Sequence, residues 1–503
     1  MNTAEELTGK LNELESSLYI FHHLSSLLEL DATTAAPPDT TRGTGKVTEF
    51  LSKEEYSKFA SEETGQLLSD ILAKSAELPA QTVRQAEFLK REYDQSKAIP
   101  QDEYVEYDVL ISEAQNAWVK AKRENNFEAF APYLEKIVSC QKHFIDLWDP
   151  DHIRKPYDVL LDHYEYGLTS DFLDSFFDEV KRTIVPLLHA ITEKGWQPRS
   201  DFLFRDAPLE KQRELSDYLM QVLTIDRNHC NIAETEHPFT LHFNKDDVRI
   251  TTHYHIDEVM SSFYSVMHEG GHALYELHTG DELRFTSLAS GASSSIHESI
   301  SRFFENIIGR SKEFCSFILP KLQELFPDQF ADVSPDEFYR AVNIAQPSLI
   351  RTEADELTYC LHVMVRYELE KGLFNGDTAV KDLPAAWNLK MKEYLGIDVP
   401  NDTKGVLQDS HWGSGYFGYF PTYALGNAYG AQISEKMKQD VDTADCCSRG
   451  DLAPIVNWLE EKLFRYGCLL DPVPLFEQVC GAKFTPVPYT QYLKKKYSEI
   501  YGI

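Results

Sequence analysis

The stretch MHEGGHALYE at 267–276 carries two histidines four residues apart, His268 and His272, with a glutamate directly after the first. Side chains at i and i+4 of a helix project in the same direction, so both imidazoles can reach one zinc ion at about 2.0–2.1 Å. Glu269, one step round the helix, can remove a proton from a zinc-bound water as that water attacks a carbonyl group. The H-E-x-x-H spacing therefore indicates a metal-dependent hydrolase.

The motif by itself leaves two questions open. With 17 histidines and 81 acidic residues among 503, the pattern arises by chance in roughly 0.09 of such chains, so it favours zinc without proving it. The adjacent Gly270 and Gly271 each cost a helix about 1 kcal/mol relative to alanine. Space near the metal and substrate explains these glycines, and close packing against another helix explains them equally well.

A catalytic zinc site needs a third protein ligand and an open position, and the stretch SSSIHESISRFFENIIGR at 293–310 offers one. The apolar residues of this stretch form one helical stripe, which places Glu298 and Glu305 together on the opposite side. A lone glutamate is usually solvent-exposed, but beside an H-E-x-x-H helix Glu298 is predicted to be the third ligand. Glu305 or His297 is predicted to support the ligands by hydrogen bonding.

The elements that must position these residues are mainly helices. Apolar residues recur at three- and four-residue spacing along most of the chain, as in 107–121, which predicts a mainly helical fold. The stripe from Asp257 to Thr279 predicts one helix that ends near Gly280 and carries the histidine motif. The run HPFTLHFNKDDVRITTHY at 237–254 predicts a β-hairpin beside that helix. Its edge strand is suited to hold an extended peptide, although a purely structural hairpin explains the pattern equally well.

A chain of 503 residues with 42% hydrophobic composition is long enough for one large body or about three domains. It has no repeat, low-complexity tract or long Pro/Gly/Ser linker. A single domain over 1–503 is therefore predicted, with a helical N-terminal lobe at 1–235 and a catalytic lobe at 236–503. The eight cysteines form no C-x-x-C pair, which predicts reduced, mostly buried thiols rather than a disulfide framework.

Charge limits the partners of this protein. The 49 basic and 81 acidic residues give a net charge of −32, which repels phosphate backbones and anionic lipid, so nucleic acid and membranes are poor partners. The first residues, MNTAEELTGKLNELESSLYIF, are acidic where a signal peptide has a basic region, and no run approaches a membrane span. A cytoplasmic protein with a neutral or basic ligand is predicted. If the acidic excess extends to the site, basic peptides are expected to associate faster at low salt.

Several short motifs occur in the order and approximate spacing of one known family. They are LDATTAAPPDTTR (30–42), HPF (237–239), DVRIT (247–251), HEGGHALYE (268–276), HES (297–299), IRTEADELTY (350–359), GVLQDSHW (405–412) and GYFPTYALGN (418–427). On these motifs the chain resembles the carboxypeptidase Taq family of zinc metallocarboxypeptidases over most of its length. The resemblance implies a mainly helical, zincin-type body with a deep substrate groove, similar to neurolysin-like peptidases, and a homodimer.

The family resemblance also implies roles for individual residues. It implies a zinc ion, replaceable by other divalent ions such as Co²⁺, whose protein ligands are His268, His272 and Glu298. It implies that Glu269 is the general base. It implies a groove for peptides with a free C-terminus, in which the terminal carboxylate is received by Arg351 and the walls include His237, His411 and Tyr423.

Arg351 is expected on a helix. The run PSLIRTEADELTY at 347–359 has a helical apolar stripe, which predicts a helix that begins at Pro347 or Ser348, with Arg351 in its first turn. A cation there faces the positive end of the helix dipole and needs an anionic partner. Asp355, four residues on, is the partner expected if no substrate is involved, and the substrate carboxylate is the functional one.

Alternatives remain for one site residue and for the activity. Tyr416 or Tyr419 is close enough in the sequence to take the role of Tyr423. Ile300 and His253 depart from the family pattern, which often has Gln and Arg there, and these departures affect the predicted shape of the subsites rather than the ligands. The alternatives to a carboxypeptidase are an oligopeptidase or endopeptidase with the same zinc, and a peptide-binding protein without catalysis.

Overall fold

Helices make up most of the computed structural model, which describes residues 3–376 and 378–503. Before the sheet they are α1 (Ala4–Thr34), α2 (Thr41–Phe59), α3 (Glu62–Ala73), α4 (Ala80–Ala98), α5 (Gln101–Glu124), α6 (Phe127–Trp148), α7 (Pro156–Asp162), α8 (Ser170–Lys194) and α9 (Leu209–Val222). After the sheet they are α10 (Val259–Leu277), α11 (Ser294–Arg302), α12 (Lys312–Leu325), α13 (Pro327–Phe330), α14 (Pro335–Ala341), α15 (Tyr359–Asn375), α16 (Leu383–Leu395), α17 (Phe420–Met437), α18 (Thr443–Arg449), α19 (Ala453–Lys462), α20 (Pro472–Cys480) and α21 (Val487–Tyr501). A π-helical segment, Phe303–Ile308, continues directly from α11. The mainly helical fold predicted from the apolar spacing is confirmed.

One small sheet has the strand order β1-β3-β2, where β1 is Cys230–Glu234, β2 is Thr240–Asn244 and β3 is Asp247–Thr252. β2 and β3 pair antiparallel, so the predicted hairpin is confirmed. β1 pairs parallel with β3 and has no counterpart in the sequence predictions, because its five residues are too few to show a clear alternation. Directly before β2, the Phe239 carbonyl accepts a hydrogen bond from Thr251 N–H of β3, and the register of the two strands is irregular between His242 and Asn244.

The histidine motif lies on α10, within the stretch for which a helix is predicted. α10 packs against β3 on one side and against α11 on another. α17 packs on α11 in turn, and Gly426 of α17 permits the contact because an added Cβ would lie 2.6 Å from Glu298 Cγ. These three helices and the sheet therefore bring the residues of the predicted metal site together.

The two glycines of the motif are explained by close packing. A Cβ added at Gly271 would lie 2.7 Å from Ser301 Cα and 2.8 Å from the Ile300 carbonyl oxygen. A Cβ added at Gly270 would lie 2.5 Å from Leu223 Cδ1. Of the two explanations that the sequence leaves open, contact with neighbouring elements is the one supported at both positions.

The main hydrophobic core combines residues that precede the sheet in the sequence with residues that follow it. It combines Phe176 and Leu219, from helices before the sheet, with Phe263 and Tyr367, from helices after it. A smaller core lies under α1, α3 and α4 and includes Leu7, Leu11, Leu68, Ile71 and Leu89. The single domain with two lobes stays a prediction. In the described part of the chain, no helix combines the length and the apolarity needed to cross a membrane.

Candidate metal centre and substrate cleft

The three residues predicted as metal ligands, His268, His272 and Glu298, come together in one cleft. Glu298 Oε2 lies 3.7 Å from His268 Nε2 and 3.5 Å from His272 Nε2, and the three ligand atoms lie within 4.8 Å of one another. Bonds of about 2.0–2.2 Å at tetrahedral angles place ligand atoms about 3.4 Å apart. Two imidazole nitrogens and one carboxylate oxygen at this spacing fit a single divalent ion.

Each of the two histidines has a partner on its other ring nitrogen. His268 Nδ1 lies 2.9 Å from Glu305 Oε2, and His272 Nδ1 lies 2.5 Å from His297 Nδ1. Such partners orient an imidazole and keep its hydrogen on the nitrogen that faces away from a metal. The sequence predicts that Glu305 or His297 supports the ligand side chains by hydrogen bonding. In the structure each of them contacts a different histidine.

Arg302 joins Glu298 to Glu305 and has no counterpart in the sequence predictions. Its Nε donates to Glu298 Oε1 at 2.7 Å, and its Nη1 donates to Glu305 Oε2 at 3.0 Å. Burial alone would raise the pKa of Glu298, but the charge of Arg302 and the two histidines hold it well below its usual range. A sequence signal exists, because Arg302 stands at helical ion-pair spacing from both glutamates.

Glu269 lines the cleft beside β2 and is 7% exposed. Its Oε2 accepts a hydrogen bond from Thr240 Oγ1 at 2.6 Å. Burial raises the pKa of its carboxyl group, against the opposing effect of His268. A carboxylate with a raised pKa accepts a proton more readily near neutral pH, so the environment of Glu269 suits a general base.

The cleft has a volume of ≈ 510 Å³ and is bounded by β2, α10, α11 and the start of α17. Tyr423 and Tyr419 both line it, and their ring centroids are 5.2 Å apart in an edge-to-face arrangement. Tyr416 is 53% exposed and is not among the described residues that line the cleft. Tyr419 is therefore the better placed alternative to Tyr423.

His411 lies behind Tyr423, and His237 lies outside the cleft. His411 Nε2 is 3.5 Å from the Tyr423 hydroxyl. Burial, with the nearby arginines, lowers the pKa of His411 to about 4 despite the charge of Asp409, so this ring is neutral at pH 7. His237 is exposed and is not among the described residues that line the cleft; its carbonyl accepts a hydrogen bond from Thr235 Oγ1 at 2.9 Å.

Arg351 lies in a short 3-10 turn, Arg351–Glu353, which ends well before α15 begins. The predicted helix start at 347–348 is therefore wrong. Asp355 explains the difference, because its carboxylate accepts hydrogen bonds from the backbone N–H groups of Gln346 and Thr358. A side chain that binds nearby backbone groups in this way stabilises a turn in place of a helix.

The Arg351 guanidinium is held by Asp409 rather than by Asp355. Its Nε and Nη2 donate to Asp409 Oδ1 at 3.1 and 2.9 Å, and its Nη1 donates to the Tyr359 hydroxyl at 2.9 Å. One N–H on Nη1 and one on Nη2 have no partner within the described residues. The side chain of Arg351 is buried, with its guanidinium carbon 5.0 Å from the Tyr423 ring centroid, next to the cleft lining.

A larger cavity of ≈ 1220 Å³ adjoins the metal cleft and shares His242 and Ser290 with it. It extends between β2 and the helices α1, α2, α4 and α5. Its lining carries the carboxylates of Glu15, Glu49, Glu55, Glu92 and Asp108. Lys53 is the one lysine or arginine among the described residues of this lining. The acidic excess of the chain therefore extends to the neighbourhood of the metal cleft.

An H-E-x-x-H helix, a glutamate from a second helix and a deep cleft within a helical body define a metallopeptidase of the helical class. The family model described as Carboxypeptidase Taq (M32) metallopeptidase matches residues 10–497, and the chain belongs to this family. The enzyme is accordingly a metallocarboxypeptidase, and the family predicted from the sequence motifs is confirmed.

Similar proteins cover nearly the whole chain. The chain is 40% identical over 477 residues to Carboxypeptidase 1 of Bacillus subtilis, which covers 95% of both chains. It is 37% identical over 423 residues to Thermostable carboxypeptidase 1 of Thermus thermophilus, with 82% of each chain covered. The crystal structure of M32 carboxypeptidase from Deinococcus radiodurans R1 matches with a TM-score of 0.95 and 32% identity, over 99% of this chain and 100% of that one. The predicted zincin-type fold is confirmed.

Proposed function

We propose that this enzyme removes single residues from the C-terminus of peptides, with zinc held by His268, His272 and Glu298. The observation that supports the metal site most directly is the spacing of the three ligand atoms, all within 4.8 Å. Two imidazoles and one carboxylate suit zinc in a catalytic site, and Co²⁺ is expected to substitute because it accepts the same ligands. The substrates are peptides with a free C-terminus.

The residues beside the metal site have different roles in peptide hydrolysis. When bound, zinc supplies Lewis-acid activation of water and of the substrate carbonyl. Glu269 accepts a proton from the attacking water and gives it to the leaving nitrogen as the C–N bond breaks. The Thr240 hydroxyl, 2.6 Å from Glu269 Oε2, orients the carboxylate for both transfers. The products are the shortened peptide and one free amino acid.

Tyr423 is proposed to donate a hydrogen bond to the carbonyl oxygen as that oxygen becomes negative. Its ring lines the cleft, and its hydroxyl lies 3.5 Å from His411 Nε2, so the neutral imidazole orients the hydroxyl. Tyr419 is the alternative donor. His237 precedes the cleft-lining Phe239 by two residues and is proposed to contact the peptide at the outer end of the groove.

Arg351 is proposed to receive the terminal carboxylate. Its two unpartnered N–H groups, on Nη1 and Nη2, match the two oxygens of a carboxylate. Asp409 fixes the other edge of the guanidinium and is itself fixed by Arg366, whose Nε donates to Asp409 Oδ2 at 2.7 Å. Holding the terminal carboxylate places the last peptide bond at the metal. Because the guanidinium lies over the Tyr423 ring, this ring is expected to move as the carboxylate enters.

Peptides with a free C-terminus are expected to lose single residues from that end, and C-terminal amidation is expected to nearly stop the reaction. Arg351→Lys is expected to lower kcat/KM tenfold or more, since losing a buried charge-assisted pair costs about 1.5–3 kcal/mol and lysine lacks the fork. The measurement is kcat/KM for one peptide as the free acid and as the amide, with the products identified by mass spectrometry.

Arg366→Lys is the matched control for this test, because Arg366 shares Asp409 with Arg351 but is not proposed to contact substrate. The preference for the free acid over the amide should collapse in Arg351→Lys and persist in Arg366→Lys. Efficient cleavage of amidated peptides at internal bonds would contradict the role of Arg351 and favour the endopeptidase alternative.

Peptides with basic residues upstream of the scissile bond are expected to be better substrates at low salt. A peptide held at the metal by its last bond extends along β2 toward the acidic cavity, since His242 of β2 lines both spaces. The Debye length falls from about 30 Å at 0.01 M salt to about 3 Å at 1 M, so the advantage should fade as salt rises. The measurement is kcat/KM against ionic strength for two peptides that share their last two residues and carry lysines or glutamates upstream.

The double variant Glu49→Gln/Asp108→Asn tests the source of this charge preference; Glu92 stays in place because burial raises its pKa to about 7, which leaves it only partly ionised at neutral pH. The double variant removes two of the cavity carboxylates without touching the metal cleft, so the low-salt advantage of the lysine peptide should shrink. The same salt dependence for both peptides in the wild-type enzyme would show that the cavity does not hold the upstream part of the substrate.

We further propose that the enzyme is cytoplasmic and acts as a homodimer. The eight cysteines are free, which suits a reducing compartment. The dimer rests on the family resemblance of the sequence, and sedimentation equilibrium of the purified enzyme measures it directly.

A further inference from the structure

Glu276 is a buried carboxylate that the proposed mechanism does not use. It lies in the last turn of α10, is 3% exposed and lines the metal cleft. Its Oε1 lies 2.7 Å from His297 Nε2 and accepts a hydrogen bond from Ser290 Oγ at 2.8 Å, and His242 Nδ1 lies 3.6 Å from the same oxygen. Its Oε2 has no hydrogen-bond partner in the described part of the chain. Because a buried carboxylate with incomplete pairing costs free energy, stability alone explains it poorly.

The contacts of Glu276 lead in one direction to His272. An ionised carboxylate only accepts hydrogen bonds, so His297 Nε2 donates to it. With its hydrogen on Nε2, His297 has its lone pair on Nδ1, which lies 2.5 Å from His272 Nδ1, so His272 Nδ1 donates in turn. His272 is left with its lone pair on Nε2, the atom that lies 3.5 Å from Glu298 Oε2.

The opposite direction of donation would disable His272 as a ligand. If His297 carried its hydrogen on Nδ1, His272 Nδ1 would have to accept, and His272 Nε2 would carry a hydrogen where a lone pair is needed. The His297 ring has little room to turn. It stacks on Tyr275 with centroids 5.1 Å apart, and a Cβ added at Gly291 would lie 2.7 Å from His297 Cδ2.

We propose that Glu276 is a positioning residue that sets the tautomer of His272 through His297 and thereby maintains the metal affinity of the site. This inference rests on the proposed function, because it takes His272 as a zinc ligand. His268 is oriented by direct contact with Glu305. The two histidines of one motif are thus oriented differently, one by a carboxylate alone and one by a histidine followed by a carboxylate.

The test measures Zn²⁺ affinity by competition with a chromophoric chelator, on protein whose folding is checked by circular dichroism. Glu276→Leu removes the acceptor and is expected to lower the affinity about 10–100-fold. Glu276→Gln keeps an acceptor but also offers an amide hydrogen, which permits both directions of donation, so its loss should be smaller. His297→Phe keeps an aromatic ring against Tyr275 and removes the relay, so its loss should match that of Glu276→Leu.

The double variant Glu276→Leu/His297→Phe separates a relay from two unrelated structural defects. If Glu276 acts only through His297, the double variant binds Zn²⁺ no more weakly than His297→Phe alone. Additive losses would overturn the relay, and so would wild-type affinity in folded Glu276→Leu.

Glu165→Gln is the matched control for the loss of a buried carboxylate near α11. Glu165 is 1% exposed and accepts a hydrogen bond from Ser295 N–H at the start of α11, without contacting His297. It is expected to keep the wild-type Zn²⁺ affinity, and an equal loss in this control would assign the effect of Glu276 to stability. If the wild-type protein itself fails to bind Zn²⁺, the proposed function fails rather than the relay.

Discussion

Glu269→Gln is expected to bind zinc as the wild-type enzyme does and to lose nearly all turnover. Glutamine keeps the size of the side chain and can still accept the hydrogen bond from Thr240, which lies 2.6 Å from Glu269 Oε2. It cannot take up the proton of the attacking water. Loss of a general base typically costs about 10²–10⁴-fold in rate, and because Glu269 is also proposed to supply the proton for the leaving nitrogen, the larger end of this range is expected.

Two measurements check this expectation together: the metal content per chain and kcat on a peptide with a free C-terminus. The wild-type protein should hold about one zinc per chain and lose activity on chelation. Glu258→Gln is the matched control, since Glu258 is an exposed glutamate directly before α10 and should keep both zinc and activity. A near-normal kcat in Glu269→Gln would remove Glu269 from the mechanism.

Glu298→Ala is expected to lose the metal rather than only to slow the reaction. Two histidines without a third ligand hold a divalent ion weakly. The substitution also leaves the buried Arg302 without one of its partners, since Arg302 Nε donates to Glu298 Oε1 at 2.7 Å. Arg302 then keeps Glu305 as its carboxylate partner, at 3.0 Å, so its charge beside the site is less fully balanced and further opposes a metal ion. The zinc content per chain after gel filtration should fall close to zero, and activity with it.

Glu305→Gln provides the graded comparison for Glu298→Ala. Glu305 contacts His268 Nδ1 at 2.9 Å and is not one of the three proposed ligands. Its loss should weaken zinc binding about 10–100-fold without abolishing it. Unchanged zinc content in Glu298→Ala would show that the third ligand lies elsewhere, and Glu305 would be the first residue to test.

Much of the metal site is predictable because its key relations are local. His268 and His272 share one face of α10 since backbone hydrogen bonds set the helical repeat. Glu298 on α11 and Glu305 on the π-helical segment that continues it are also close in sequence, and both lie within hydrogen-bond reach of Arg302. The hairpin of β2 and β3 is local in the same sense, as two alternating runs joined by a short polar turn. The approximate limits of α10 also follow from its apolar stripe.

The predicted helix around Arg351 is wrong for a reason that a local sequence pattern does not reveal. Its apolar stripe is compatible with a helix beginning at 347–348, but the Asp355 carboxylate binds two backbone N–H groups and holds a turn there. The charged partner of Arg351 is Asp409, which comes from a distant part of the sequence. Periodicity describes one element at a time and carries no information on such a pair.

The sequence by itself determined the kind of chemistry: the two-histidine motif with its glutamate, the glutamate proposed to complete the ligand set, and the helical class of the fold. Only the tertiary structure decided how these parts are supported. It shows that Gly271 serves the contact of α10 with α11, that Arg302 joins two glutamates, and that Glu276 reaches His272 through His297. The physical reason is that the helical repeat fixes neighbours within one element, whereas contacts between elements depend on how closely and at what angle the helices pack.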